Sequence, residues 1–181
     1  IQALFDVGSP PPSHLLIRGN HETPGQQVEP GFLAALADTN DDRFFTPPPG
    51  EGTKHTSGRR TALARWLTDS DSPASGMVAR VMVNRLWQHL FGKGIVATPG
   101  NFGTHGTTPT HPELLDWLAA ELVNQQWRVK PLIRQMMTSR VYRQASTRVS
   151  RDDVAQEASA GGVPQSTDPG NTLLWRMRLR R

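Results

Sequence analysis

Apolar residues recur every three or four positions in four stretches of the chain, the spacing of one face of an α-helix. We predict helices over these stretches, which are residues 59–67, 77–91, 112–124 and 131–143. The stretch 77–91 is apolar around more than half of its circumference, and a helix of that kind is buried. The pattern therefore predicts a mainly α fold of four or five helices around a central buried helix.

The first part of the chain, residues 1–57, follows a different pattern. One short apolar run over residues 14–18, bounded by proline and glycine, predicts a single strand. Residues 19–31 hold several Gly and Pro residues and predict an extended loop. The sequence thus predicts a loop-rich N-terminal segment, followed by a helical core domain over residues 58–146.

The last part of the chain changes character again. Residues 147–170 are rich in Ser, Gly and Ala, which favours a flexible linker. Residues 171–181 predict the start of one more helix, which the end of the sequence truncates. Together with the missing initial Met, this indicates either a mature product or a piece of a larger protein.

Composition narrows the chemistry that the chain can perform. It contains no Cys, which excludes disulfides, thiolate zinc sites, a Cys nucleophile and covalent haem attachment. No apolar run approaches the ~20 residues that a transmembrane helix needs. We therefore predict no cofactor and no transmembrane segment.

Positive charge concentrates in the middle of the chain. Residues 59–148 hold twelve basic and five acidic residues, and 17 of all 20 basic residues are Arg. An Arg-rich face can bind an anion, but Arg on helix flanks also pairs with acids nearby. We favour local pairing. Nucleic acid is an unlikely partner, because basic and aromatic residues are not interleaved as in single-strand binders.

The predicted central helix carries polar residues at positions where burial is expected. Arg80, Asn84 and Gln88 follow one row of the helix, and Arg85 and His89 follow the next. Buried polar groups must find partners. These side chains therefore either form a structural network or line a binding cleft, and we favour the network.

Partners for those side chains are predicted at the start of the following helix. The candidate partners are Glu113, Asp116 and the backbone of the loop 94–110. His111 with Glu113 and Asp116 also resembles an acid and base cluster, although helix capping explains the same residues. The weak catalytic candidates are His89, His111, Asp116 and Glu113. The candidate binding residues are Arg80, Asn84, Arg85, Gln88 and Asn101.

One short motif suggests a metal site. The run L-L-I-R-G-N-H-E over residues 15–22 matches a strand and G-N-H-E element of calcineurin-like metallophosphoesterases. A two-metal site needs several further Asp and His ligands. Upstream, the chain offers only Asp6 and His14. We therefore predict that Asn20 and His21 form a turn and that no metal binds.

Residues 58–146 resemble a planctomycete-type family called domain of unknown function 1553. Several runs carry the resemblance. The longest are G-R-R-T-A-L-A-R-W-L at 58–67, R-V-M-V-N-R-L-W-Q-H at 80–89 and H-P-E-L-L-D-W-L-A at 111–119, and shorter ones lie at 98–103 and 142–144. It implies a large, exported parent protein, which often carries a second uncharacterised domain and sometimes a cytochrome-c-like one. No activity comes with the family, so it supplies no catalytic residue.

These observations lead to a ranked set of functions. The first is an uncharacterised helical module of a larger, extracytoplasmic bacterial protein, with a binding or scaffolding role beside its flanking domains. The second is a hydrolase-like or carbohydrate-active domain with a polar cleft on the central helix. The third is binding of an anionic ligand through the Arg-rich block.

Overall fold

The computed structural model describes residues 11–36, 44, 57–146 and 167–178. In these residues the protein has four α-helices and one two-stranded sheet, so the mainly α prediction is confirmed. The chain divides into two compact units, Ile1–Ser75 and Gly76–Arg181. This boundary lies inside the second helix.

The first unit contains an antiparallel hairpin. Strand β1, Ser13–Leu16, pairs with β2, Pro24–Val28, across a 3₁₀ turn at Ile17–Gly19. The prediction of one strand and an extended loop was therefore wrong for β2. Its sequence, P-G-Q-Q-V, lacks the apolar alternation of a half-buried strand, since nearly all of the hairpin is exposed and backbone pairing holds it.

The predicted turn at Asn20 is present. The Asn20 side-chain Oδ1 accepts a hydrogen bond from the Glu22 backbone N–H at 3.0 Å, and the Asn20 carbonyl accepts from the Thr23 N–H at 3.2 Å. Asn favours such turns because its side chain bonds its own backbone two residues on. Across the described ranges, no three His, Asp or Glu side chains come together in a way that could hold a metal ion.

Helix α1, Arg59–Thr68, supplies the core of the first unit. Trp66 is 2% exposed and stacks on Phe32, with ring centroids 4.7 Å apart. Phe44, Ala62 and Ala74 complete this small buried cluster. One aromatic stack thus joins α1 to the segment that follows the hairpin.

Helix α2, Pro73–Phe91, begins four residues earlier than predicted. Ser72 accepts a hydrogen bond from the Ala74 backbone N–H through its hydroxyl, at 3.3 Å, and Pro73 takes the first helical position. Both residues favour a helix start. The helix ends at Phe91, and Gly92 follows it with a left-handed φ of 84°, which is typical of a glycine that closes a helix.

The second unit is built on α2, α3 (Pro112–Asn124) and α4 (Val129–Thr138). The bounds of α3 match the prediction, whereas α4 ends earlier and a turn follows it. The core of this unit contains Ala79, Val83, Trp87, Phe91, Ile95, Val96, Leu115, Leu118, Ala119, Leu122, Leu132 and Met136. None of the described helices is long and apolar enough to cross a membrane.

Helix α2 is buried along one side only. Val83 and Phe91 are sealed in the core, but Met77 is 51% exposed and Met82 is 38% exposed. The predicted burial of this helix therefore holds for its inner side and not for its outer positions. Apolar residues are common on the outer faces of helices in folded proteins. The share of apolar positions along α2 therefore overestimated how much of the helix is buried.

Residues 171–178 form turns and bends instead of the predicted helix. The side chains of Asp168 and Asn171 bond to the backbone of this segment, and such bonds compete with helix formation. Of the predicted linker, residues 147–166 lie outside the described part of the chain.

Candidate functional site on α2 and the loop that follows it

Asn84 lies on the buried side of α2 and is 0% exposed. Its Nδ2 donates to the Val96 carbonyl at 3.0 Å, and its Oδ1 accepts from the Val96 backbone N–H at 2.9 Å. One amide therefore satisfies both backbone groups of one residue, as a neighbouring strand would. We call this pair of bonds the Asn84 clasp. It confirms that the backbone of the loop after α2 is a partner of the polar row on that helix.

Gly94 makes the clasp sterically possible. A Cβ at this position would lie 2.5 Å from the Val96 carbonyl oxygen and 2.8 Å from both polar side-chain atoms of Asn84. The backbone therefore passes directly over the amide, where only glycine fits. Sequence reasoning missed this requirement, because nothing in the sequence around Gly94 indicates that Val96 is bonded to Asn84.

Arg80, one turn before Asn84, links α2 to α3. Its Nε lies 2.6 Å from the Asp116 Oδ1, and the two side chains are 42% and 57% exposed. Asp116 was a predicted partner of this row, and the pairing is confirmed. An ion pair this exposed contributes at most about 1 kcal/mol, so it orients the two helices more than it stabilises them.

The two ends of the loop meet beside α3. The Thr110 backbone N–H donates to the Ile95 carbonyl at 3.0 Å, and the Thr110 hydroxyl donates to the same oxygen at 3.3 Å. Thr110 therefore does not cap α3. His111 occupies the cap position without a side-chain bond to the helix, and Thr110 closes the loop instead.

Two threonine hydroxyls hold the middle of the loop. The Thr98 Oγ1 donates to the Asn101 carbonyl at 2.8 Å and accepts from the Thr107 N–H at 3.0 Å. The Thr107 Oγ1 accepts from the Ala97 N–H at 3.1 Å. We call residues 97–107 the latched loop. Compact loops of this kind, closed by their own side chains, are frequently functional.

The tip of the latched loop is exposed. Asn101 lies there, and its Oδ1 accepts from the Gly103 backbone N–H at 3.1 Å. His105 is also exposed at this tip. The predicted binding residue Asn101 therefore shapes the loop while remaining in contact with solvent.

The histidines do not form an acid and base pair with the nearby carboxylates. The His111 Nδ1 lies 2.9 Å from the Thr110 Oγ1, while Asp116 pairs with Arg80. His89 is exposed on the outer side of α2, and Glu113 is exposed in the first turn of α3. Within the described ranges, neither imidazole is bonded to a carboxylate.

The structure distributes the predicted binding residues over three settings. Asn84 is sealed in the core, and Arg80 is held by α3. Arg85 is exposed, and Gln88 is half-buried nearer to the outer side of α2. Asn101 lies on the latched loop, so the five residues belong to a framework and its surface more than to one cleft.

A second buried asparagine was not predicted. Asn171 is 3% exposed, donates to the Arg176 carbonyl at 2.8 Å and accepts from the Arg176 N–H at 3.2 Å. Its φ of 52° is left-handed, which Asn tolerates better than most residues. Arg178 donates to the Asn171 carbonyl at 3.0 Å. We call this arrangement the Asn171 clasp.

Asp168 begins the same turn. Its Oδ2 accepts from the Leu173 backbone N–H at 2.6 Å, and its carbonyl accepts from the Trp175 Nε1 at 2.9 Å. Hydrogen bonds from the Leu173 and Thr172 backbones, with a smaller contribution from Arg178, lower the pKa of the Asp168 carboxyl. The turn therefore favours a charged Asp168.

Comparison with known proteins assigns the chain to a family. Searches among curated proteins and among solved structures found no match. The family model described as PSD1, a protein of unknown function (DUF1553), matches residues 59–181, well over half of the chain. The clasps, the Arg80 ion pair and the latched loop all lie within that match. The chain belongs to the DUF1553 family.

Proposed function

We propose that the second unit is a non-catalytic binding or scaffolding module, which presents the latched loop to the flanking domains of a larger, exported protein. The observation that supports this most is the Asn84 clasp. The most buried polar side chain of α2 uses both of its polar atoms on the Val96 backbone. Because Asn84 is also 0% exposed, a substrate in solution cannot reach this side chain.

Preorganisation of the loop supports a binding role. The bond between Thr110 and the Ile95 carbonyl closes the chain on both sides of the latched loop, and the Thr98 hydroxyl holds the loop's middle. Little conformational freedom therefore remains to be lost on binding. The tip meanwhile stays exposed. A surface of this kind suits a fixed interface between domains.

The alternative is a hydrolase-like or carbohydrate-active domain. It requires His89 or His111 within hydrogen-bond reach of a carboxylate, since a general base needs a partner that orients it. His111 bonds to Thr110, and Asp116 bonds to Arg80. These contacts favour the module over the enzyme.

Two measurements test the proposal. In the first, the protein is assayed against nitrophenyl esters, phosphates and glycosides, beside Asp116→Asn and His111→Ala. We expect no turnover above that of buffer. Turnover that either substitution removes, at an unchanged unfolding midpoint, would show that the domain is an enzyme.

The second measurement is hydrogen exchange at the Val96 and Thr110 amides, which close the loop. A fixed platform predicts that both exchange only through global unfolding. Exchange through a much smaller local opening would mean that the loop moves as a lid, and the scaffolding proposal would fail.

A further inference from the structure

The strongest concentration of charge in the chain surrounds α4. Residues 122–151 contain seven basic residues and no acidic one. Those that the structure describes are all exposed, and we call them the cationic strip. They are Arg128, Lys130, Arg134, Arg140 and Arg143.

The strip is not neutralised by local pairing. Arg80 and Arg59 elsewhere in the Arg-rich block have carboxylate partners. In the strip, the Arg128 Nη2 donates to the neutral Gln126 Oε1 at 3.4 Å. Over the described part of the chain, no strip residue pairs with an acid. The expectation that Arg in this block pairs with nearby acids was therefore wrong for α4.

The structure also determines which side of α4 carries the charge. Leu132 and Met136 are buried in the core, which orients the helix. Lys130 and Arg134 are four residues apart and lie together on the outer side. Met137, three residues after Arg134, shares that side and is 43% exposed. The outer side of α4 is therefore cationic with an apolar residue among the charges.

This arrangement selects the kind of partner. A small anion is held by converging donors in a concavity, whereas these cations project outward from a helix and its flanking turns. An extended anionic surface matches them better. Phosphate contacts to a nucleic acid would gain nothing from an exposed thioether, but a lipid interface buries apolar side chains while anionic headgroups attract Lys and Arg.

We propose that the cationic strip docks this protein on an anionic lipid surface, with Met137 inserted among the headgroups. The contact is peripheral and electrostatic, because the apolar side of α4 stays in the protein core. It uses a different surface from the latched loop, so this proposal and the proposed function can fail separately.

Vesicle co-sedimentation of the full chain tests the proposal. We expect binding to phosphatidylcholine vesicles that contain phosphatidylglycerol, none to pure phosphatidylcholine, and loss of binding at high salt. Lys130→Gln with Arg134→Gln should weaken it about 25-fold, from roughly fivefold per cation near the surface. Arg18→Gln with Lys93→Gln makes the same change of charge at residues that are not part of the strip, and should have little effect.

A third variant separates a membrane from other polyanions. Met137→Gln should weaken vesicle binding about threefold, because less apolar surface is buried, and leave weak retention by duplex DNA unchanged. If K130Q/R134Q unfolds more easily, Arg140→Gln with Arg143→Gln replaces it. The proposal is overturned if vesicles do not bind, if strip and control variants behave alike, or if duplex DNA or an acidic polysaccharide binds more tightly than vesicles.

Discussion

Two buried asparagines perform the same chemistry in different surroundings. Asn84 clasps the backbone of Val96, and Asn171 clasps the backbone of Arg176. The first spans twelve residues and joins a helix to a loop. The second spans five residues and closes a turn on itself.

The comparison shows what each clasp depends on. Asn84 is held in ordinary helical backbone, but its partner can approach only because residue 94 is glycine. Asn171 needs a left-handed backbone, and Asp168 and Arg178 reinforce its turn. We therefore expect that loss of the first clasp destabilises the whole unit, and that loss of the second opens one segment.

The largest expected effect is that of Asn84→Ala. It leaves the buried N–H and C=O of Val96 without partners, and each such group costs about 1–3 kcal/mol. We expect the free energy of unfolding to fall by about 4 kcal/mol, measured by urea denaturation. Gln88→Ala, at a half-buried position of the same helix, is the control. Equal effects of the two substitutions would show that the clasp does not stabilise the fold.

Gly94→Ala tests the steric half of the same clasp. Its Cβ would force Val96 away from Asn84, which we expect to cost about 2–3 kcal/mol of unfolding free energy. Gly76→Ala is the matched control, because its Cβ would meet only the Arg80 Nη1 at 3.6 Å. Helix propensity predicts that this control stabilises the protein by up to about 1 kcal/mol. If Gly94→Ala leaves the free energy of unfolding unchanged, the Gly94 backbone does not lie as close to the Asn84 amide as described.

Asn171→Ala should have a smaller and more local effect. It removes two hydrogen bonds and places Ala at a positive φ. We expect these two changes to lower the stability of the turn by about 1–2 kcal/mol. Tryptophan fluorescence should report the opening through Trp175, whose Nε1 bonds within this turn. Asn171→Gly should lose less stability than Asn171→Ala, because glycine adopts a positive φ without strain. If Asn171→Ala lowers global stability as much as Asn84→Ala, the distinction between the clasps is wrong.

The smallest effect is a pH dependence of the same turn. Because hydrogen bonds from Leu173 and Thr172 lower the pKa of Asp168 below its ordinary value of 3.8, the charged form is the one that stabilises folding. That stabilisation is present above 3.8 and is lost as the pH falls through the lowered pKa. We expect the Trp175 signal to change in that acid range in the wild type and not in Asp168→Asn. If the two proteins give the same Trp175 signal at every pH, the charge of Asp168 does not stabilise the turn.

The sequence predicted the helices well because their apolar spacing is a local property. It also predicted that the polar row on α2 has internal partners in Asp116 and the loop backbone. It did not predict Val96 itself, because a side chain that bonds a backbone twelve residues away leaves no periodic signal.

Other features were missed for related reasons. Strand β2 is exposed and held by backbone pairing, so its side chains carry no pattern. The prediction of a helix after residue 170 was wrong. The apolar residues there have helical spacing, but the side chains of Asp168 and Asn171 bond to the backbone and hold it in a turn. Binding residues were the hardest to predict, since polarity on a helix does not distinguish Asn84, which is enclosed, from Arg85, which is exposed.

The contact between Gly94 and the Asn84 amide has an evolutionary consequence. A relative that acquires a side chain at position 94 has no room for the amide beneath it, and a relative that loses the amide has no need of the glycine. The two positions, which are ten residues apart in the sequence, should therefore change together across the family, and this covariation would reveal the clasp without any coordinates.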